Sequence, residues 1–66
     1  MKTVYVRMTK KIIEGSLKGM VITNVLEAAN EECAKRDVEN CPKGSIMGGG
    51  WTGPRYEVLA HDYVIE

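Results

Sequence analysis

The chain has 66 residues, and its nine basic and nine acidic side chains give a formal net charge of zero. A chain of this length forms one domain, residues 1–66, and buries only about 60% of the surface that it exposes when unfolded. The neutral charge argues against duplex nucleic acid or a membrane as the main partner, because binding to phosphates requires a basic excess. No run reaches the ~20 apolar residues of a membrane span. Because no signal peptide is visible either, the expected compartment is the cytoplasm.

The first third of the sequence predicts a β-hairpin. A period of two in side-chain character, with β-branched residues, indicates a half-buried strand over 3–9. Ile12 and Ile13 extend this strand past a bulge. A turn over 15–19, with a glycine at each end, leads to a second short strand over 20–22. The apolar face of the first strand carries Val4, Val6 and Met8.

A helix is predicted next, from residue 25 to about residue 37. Asn24 followed by Glu27 approximates a capping box, in which each side chain bonds a backbone amide of the first turn. Pro42 and Gly44 mark the end of the helical region. The apolar stripe of this helix is expected to carry Leu26, Ala29 and Cys33, joined at its edge by Val25 and Ala34.

The glycine-rich stretch that follows, residues 44–53, is the most unusual segment. Its consecutive glycines could expose amides to a phosphate or carboxylate, with Trp51 stacking on a ring and Arg55 supplying charge. The alternative is a flexible connection in which Trp51 folds back over a small core. The loop lacks the Gly-Lys-Ser/Thr ending of a P-loop and precedes a strand, so the nucleotide-binding motifs do not apply. The candidate ligand or partner residues are Gly48, Gly49, Gly50, Trp51, Arg55 and Tyr56.

Residues 55–65 predict a last strand, with a break near His61 as an alternative. Tyr56, Val58 and Ala60 are expected to share one face, and the strand is expected to lie beside the first strand. The predicted fold class is therefore α+β, with a small antiparallel sheet of three or four strands and one helix packed on it. An SH3-like small barrel with an inserted helix is the alternative.

Chemistry at the two cysteines and the histidine is weakly indicated. The seven residues between Cys33 and Cys41 match no compact zinc site, and a thiol on an apolar stripe behaves as a small hydrophobe. His61 and Asp62 are neighbours on a strand and point to opposite faces. A Cys41–His61 pair is conceivable, but nothing in the sequence places the two together. No catalytic residue, metal or cofactor is assigned.

Two short segments carry a resemblance. The segment over 15–20 and the segment over 53–59 resemble parts of small uncharacterised proteins of phages and mobile elements, with a "G-x-L-K-G" turn and a "G-x-x-Y-x-V" strand. The resemblance implies a compact phage-type accessory protein, of the kind that blocks a host factor. It assigns no functional residue.

The leading hypothesis for function is a non-enzymatic module that binds or inhibits another protein. A homo-oligomer is expected, because a core this thin gains stability from a subunit interface. A small anionic ligand or nucleotide bound by the glycine-rich loop is the alternative, and a small enzyme using His61 or Cys41 is a third.

Overall fold

The computed structural model describes residues 2–66, with only the backbone described at Thr52. Four strands form one antiparallel sheet in the order β2-β1-β4-β3, curled into a half-barrel, and one helix packs on it. The predicted α+β class is confirmed. The elements are β1 (Val4–Ile12), β2 (Val21–Ala28), α1 (Glu31–Asn40), β3 (Ile46–Met47) and β4 (Tyr56–Ile65), with a 3₁₀ turn over Gly50–Thr52.

The central strand β1 joins the two ends of the chain. It pairs with β2 through the predicted hairpin, where the Ile12 amide donates to the Met20 carbonyl at 2.9 Å. On its other side it pairs with β4, and Thr3 and Glu66 exchange two backbone hydrogen bonds of 2.8 Å. The prediction that the last strand lies beside the first is confirmed.

A β-bulge changes the face of the last strand. Thr9 lies opposite Ala60, whereas the next residue of β1, Lys10, lies opposite Val58. Leu59 is therefore an extra residue, and side chains on either side of it switch faces. The expectation that Tyr56 and Val58 share a face with Ala60 is wrong for this reason. The strand runs unbroken through the bulge and through His61.

The predicted start of the helix is wrong. Residues 21–28 form β2, because Val25 pairs with Arg7 and Leu26 pairs with Val6. The helix begins at Glu31, after Asn30, whose side-chain oxygen accepts from the Cys33 amide at 2.9 Å. Its acidic first turn suits the positive end of the helix dipole. The predicted stripe is thus divided: Cys33 and Ala34 lie on α1, Val25 and Leu26 lie on β2, and Ala29 precedes the helix.

The core is thin. Among the described residues, the buried apolar side chains are Val4, Ile12, Ala34 and Val58, and no polar side chain is buried. Ala34 is fully buried, and its small side chain lets α1 lie close to the sheet. The radius of gyration is 12.7 Å, against about 11 Å for a compact chain of this length. The extents of 42 × 20 × 17 Å show the same elongation.

The two asparagines give a direct test of where the helix begins. Asn30→Ala removes the cap of α1 and is expected to lower the free energy of unfolding by about 1 kcal/mol. Asn24→Ala, at an exposed position of β2, is expected to change it by much less. Urea denaturation followed by circular dichroism at low micromolar concentration measures both. Equal losses, or a larger loss for Asn24→Ala, would contradict the assigned helix start.

An exposed ion pair links β1 to β4 on the face away from the helix. The Arg7 guanidinium donates to the two carboxylate oxygens of Asp62 at 3.1 and 3.0 Å. These hydrogen bonds, ahead of the charge attraction, hold the pKa of Asp62 below its usual 3.8. The stabilisation is modest, because both side chains are about half exposed.

The lowered pKa of Asp62 predicts the direction in which the free energy of unfolding changes with pH. Its stabilising effect is present above the ordinary aspartate pKa and is lost as the pH falls through the lower value of the folded state. Asp62→Asn is therefore expected to lower the unfolding free energy slightly at neutral pH and to converge with the native chain in acid. Denaturation midpoints across this pH range measure the difference. A gap that widens in acid would refute the assignment.

Candidate functional site

The glycine-rich loop, residues 48–55, connects β3 to β4 and is held by its own backbone. The Gly49 amide donates to the Gly53 carbonyl at 2.9 Å, and the Gly53 amide donates to the Gly50 carbonyl at 3.4 Å. Gly48 has a positive φ of 84°, and a Cβ there would lie 2.7 Å from the Pro54 carbonyl oxygen. The glycines therefore allow a tight, closed connection that bulkier residues would disrupt.

The base of this loop is tied to the β1–β2 hairpin. The Arg55 amide donates to a Glu14 carboxylate oxygen at 2.9 Å, and the Arg55 carbonyl accepts from the Ile13 amide at 3.0 Å. The Lys10 ammonium lies 4.5 Å from the centre of the Tyr56 ring, in a cation–π contact. These contacts fix the direction in which the loop leaves the sheet.

Trp51 projects from the tip of the loop. Its accessibility is 105% of the reference value, so the whole side chain is in water. The alternative in which Trp51 folds back over the core is excluded by this exposure. Burying a surface on the order of 200 Å² at about 25 cal/mol per Å² would contribute about 5 kcal/mol. Trp51 is therefore the largest single source of apolar binding energy on the described surface.

The structure brings some of the predicted site residues together and separates others. Gly48 lies against the Tyr56 ring, and Gly49 lies near the Arg55 side chain. Trp51 points away from both pairs into solvent. The amides of Gly49 and Arg55 already donate to acceptors of the chain itself. They are not directed at an open anion cradle of the kind that the glycine run suggested.

A groove that the sequence did not reveal lies on the concave face of the sheet. It encloses about 480 Å³ between β1, β2, β4 and the C-terminal end of α1. Its apolar lining includes Val6, Met8 and Leu26, and its charged lining includes Lys10 and Asp37. The full lining is Val6, Met8, Lys10, Asn24, Leu26, Glu27, Ala28, Asp37, Asn40, Cys41, Tyr56 and His61.

A helix start at residue 25 is incompatible with this groove. A helix beginning at residue 25 would remove Leu26 from the sheet face, whereas the observed helix leaves most of β2 exposed. The signal that could have corrected this was Asn30 followed by two acidic residues, which is a better helix start than Asn24. The β-branched residues Val21, Ile22, Thr23 and Val25 also favour a strand over this segment.

Cys41 and His61 lie close together, but their contact is not the one that catalysis would use. The His61 Nδ1 atom lies 2.8 Å from the Cys41 carbonyl oxygen, so the ring holds the C-terminal end of α1 against the sheet. At the other end of the helix, the Tyr63 hydroxyl donates to Glu31 at 3.4 Å. Both cysteines are free and half-buried.

Among residues 2–66, no group of three or more histidine, cysteine, aspartate or glutamate side chains could hold a metal ion. Within the same part of the chain, no helix is long and apolar enough to cross a membrane. No family model, curated protein or solved structure matches the chain.

Gly48 and Gly15 form a matched pair for testing the closure of the loop. Both have a φ near +80°, but a Cβ at Gly15 meets nothing within 4 Å. Gly15→Ala is expected to cost about 1 kcal/mol through the left-handed backbone alone. Gly48→Ala is expected to cost at least about 1 kcal/mol more, because the new methyl group overlaps the Pro54 carbonyl. Chemical denaturation measures both, and equal costs would show that the loop is not packed as described.

Proposed function

We propose that this chain is a non-enzymatic binding module that contacts another protein through Trp51 at the tip of the glycine-rich loop, residues 48–55 (the Trp51 loop). The observation that carries the proposal is a fully exposed tryptophan on a loop whose base is fastened by hydrogen bonds. Tryptophan is enriched among the few residues that dominate protein interfaces. A loop fixed before binding loses less conformational entropy when it docks.

A protein surface suits this loop better than a small ligand does. Sites for small molecules are concave and enclose most of the ligand, whereas Trp51 stands at a convex tip. A projecting indole needs a cavity on the partner. Anion binding at the loop is less favoured, because the Gly49 and Gly53 amides already have acceptors within it.

The geometry around His61 supports a function without catalysis. One ring nitrogen contacts the Cys41 carbonyl, and the neighbouring Asp62 pairs with Arg7 on the other face of the sheet. This separates the residues that an acid–base pair would need. A phage-type accessory role, including inhibition of a host factor, stays a prediction from the sequence resemblance.

The test places a photo-crosslinking amino acid at position 51 and, as a control, at the exposed Lys35 of α1. A protein captured at position 51 and not at position 35 is then purified and its affinity is measured by calorimetry. Trp51→Ala is expected to weaken binding at least about thirtyfold, which corresponds to a hot spot of about 2 kcal/mol. Lys35→Ala is expected to leave the affinity nearly unchanged.

Two outcomes would overturn this proposal. One is equal capture at positions 51 and 35, and the other is full affinity in Trp51→Ala. A titration of Trp51 fluorescence with a panel of nucleotides and phosphate distinguishes the alternative. A saturable change at micromolar concentration would favour the anionic-ligand function, and an unchanged spectrum is expected.

A further inference from the structure

We infer that two copies of this chain pair edge to edge through β2, antiparallel, with the two-fold axis passing at Asn24. The inferred surface is the β2 edge, residues 21–28, at the opposite side of the sheet from β3. It goes beyond the proposed function, because the Trp51 loop lies next to β3. The two surfaces can therefore be tested separately.

The two edges of the sheet differ in how well they are protected. The β3 edge is only two residues long, and a short edge offers little to a further strand. The β2 edge is eight residues long and contains no proline or lysine, and it pairs with β1 without a bulge. Glu27 is its only charged residue. Natural sheets rarely leave such an edge unpaired.

Alternation along β1 identifies the backbone groups that β2 presents outward. Ile12 bonds toward the hairpin side, to Gly19 and Met20, whereas Thr3 bonds toward β4. The backbone groups of even-numbered residues of β1 therefore point toward β2. Their register partners in β2 point their own amides and carbonyls toward β1. The residues of β2 that are left with outward backbone groups are Val21, Thr23, Val25 and Glu27.

These outward residues select one register. In a two-fold antiparallel pair, each outward residue bonds to an outward residue of the second copy. Placing Asn24 opposite itself sets Val21 opposite Glu27 and Thr23 opposite Val25, each twice. A shift by two residues in either direction leaves an outward residue of each strand beyond the end of its partner. The register centred on Asn24 is therefore the one that satisfies the whole edge.

The side chains agree with this register. On the groove side, Leu26, which is 71% exposed, comes to lie opposite Ile22 of the second copy. On the other face, Val25, which is 53% exposed, comes to lie opposite Thr23 of the second copy. Pairs of this kind across antiparallel strands are stabilising.

The distribution of charges also favours pairing between two copies of β2. Glu27 is placed opposite Val21 of the second copy, whose neighbour on β1 is Lys11. The acidic end of each β2 thus lies one strand away from a lysine of the other copy, and no like charges are opposed. Pairing also adds an interface to a chain whose own core holds few side chains.

A disulfide tests the register. Asn24 would form a non-hydrogen-bonded pair with itself, with Cα atoms about 4.5 Å apart, which suits a disulfide. Asn24→Cys is made in a chain that also carries Cys33→Ala and Cys41→Ala, and it is oxidised gently. The matched control is Thr23→Cys in the same chain, where the thiol would face Val25. We expect at least tenfold more covalent dimer from Asn24→Cys.

A charge at the axis tests the same register with both native cysteines kept. Asn24→Asp sets two carboxylates opposite each other and is expected to raise the dimer dissociation constant at least tenfold at neutral pH. The loss is expected to be reversed in acid, where the carboxylates are protonated. Ser16→Asp adds the same charge in the β1–β2 turn and is expected to change the constant by less than threefold. Analytical ultracentrifugation over a concentration series measures all three chains, and circular dichroism confirms that each is folded.

Three outcomes would overturn the inference. The native chain could stay monomeric up to millimolar concentration, which would leave β2 to a strand of another protein. A dimer could be unaffected by Asn24→Asp, or the two cysteine variants could crosslink equally. Trp51→Ala is expected to leave the dimer intact, so failure of this inference and failure of the proposed function are distinguishable.

Discussion

Backbone pairing of β1 on both of its sides is the interaction on which the rest of this structure depends. Among the described residues few apolar side chains are buried, so packing alone does not set the register of the strands. The hydrogen-bonded ladder does this instead, from Thr3 and Glu66 at one end to Ile12 and Met20 at the other. The half-barrel, the groove on its concave face and the loop beside β4 all follow from where β1 holds its neighbours.

The same ladder explains which parts of the fold could be predicted. Alternation in β1 and the glycines of the first turn are local signals, and they predict the hairpin correctly. The start of α1 is not decided locally, because Asn24 and Asn30 both offer a cap to a following helix. Pairing of Val25 and Leu26 with β1 decides it, and that pairing is tertiary. The bulge at Leu59 adds one residue without any distinctive composition.

Some features of the candidate site can likewise be predicted from local sequence signals, and others depend on tertiary contacts. The glycines and the single tryptophan make the loop recognisable from the sequence. The direction of Trp51 is not a local property, because it depends on Gly48 meeting the Tyr56 ring and on Arg55 bonding to Glu14. The groove is still less accessible to prediction, since it combines β1, β2, β4 and α1. A helix placed from residue 25 would remove the β2 side of this groove.

The positions of the two proposed surfaces have a consequence for the partner. Because β2 and β3 are opposite edges of one sheet, a dimer paired at β2 carries its Trp51 loops on the two outer sides. Two anchors held at a fixed separation bind a target with two matching cavities far more tightly than one anchor does, provided that the spacing fits. A symmetric or repetitive partner would gain from this arrangement, whereas a partner with a single cavity would be bound with the affinity of one loop.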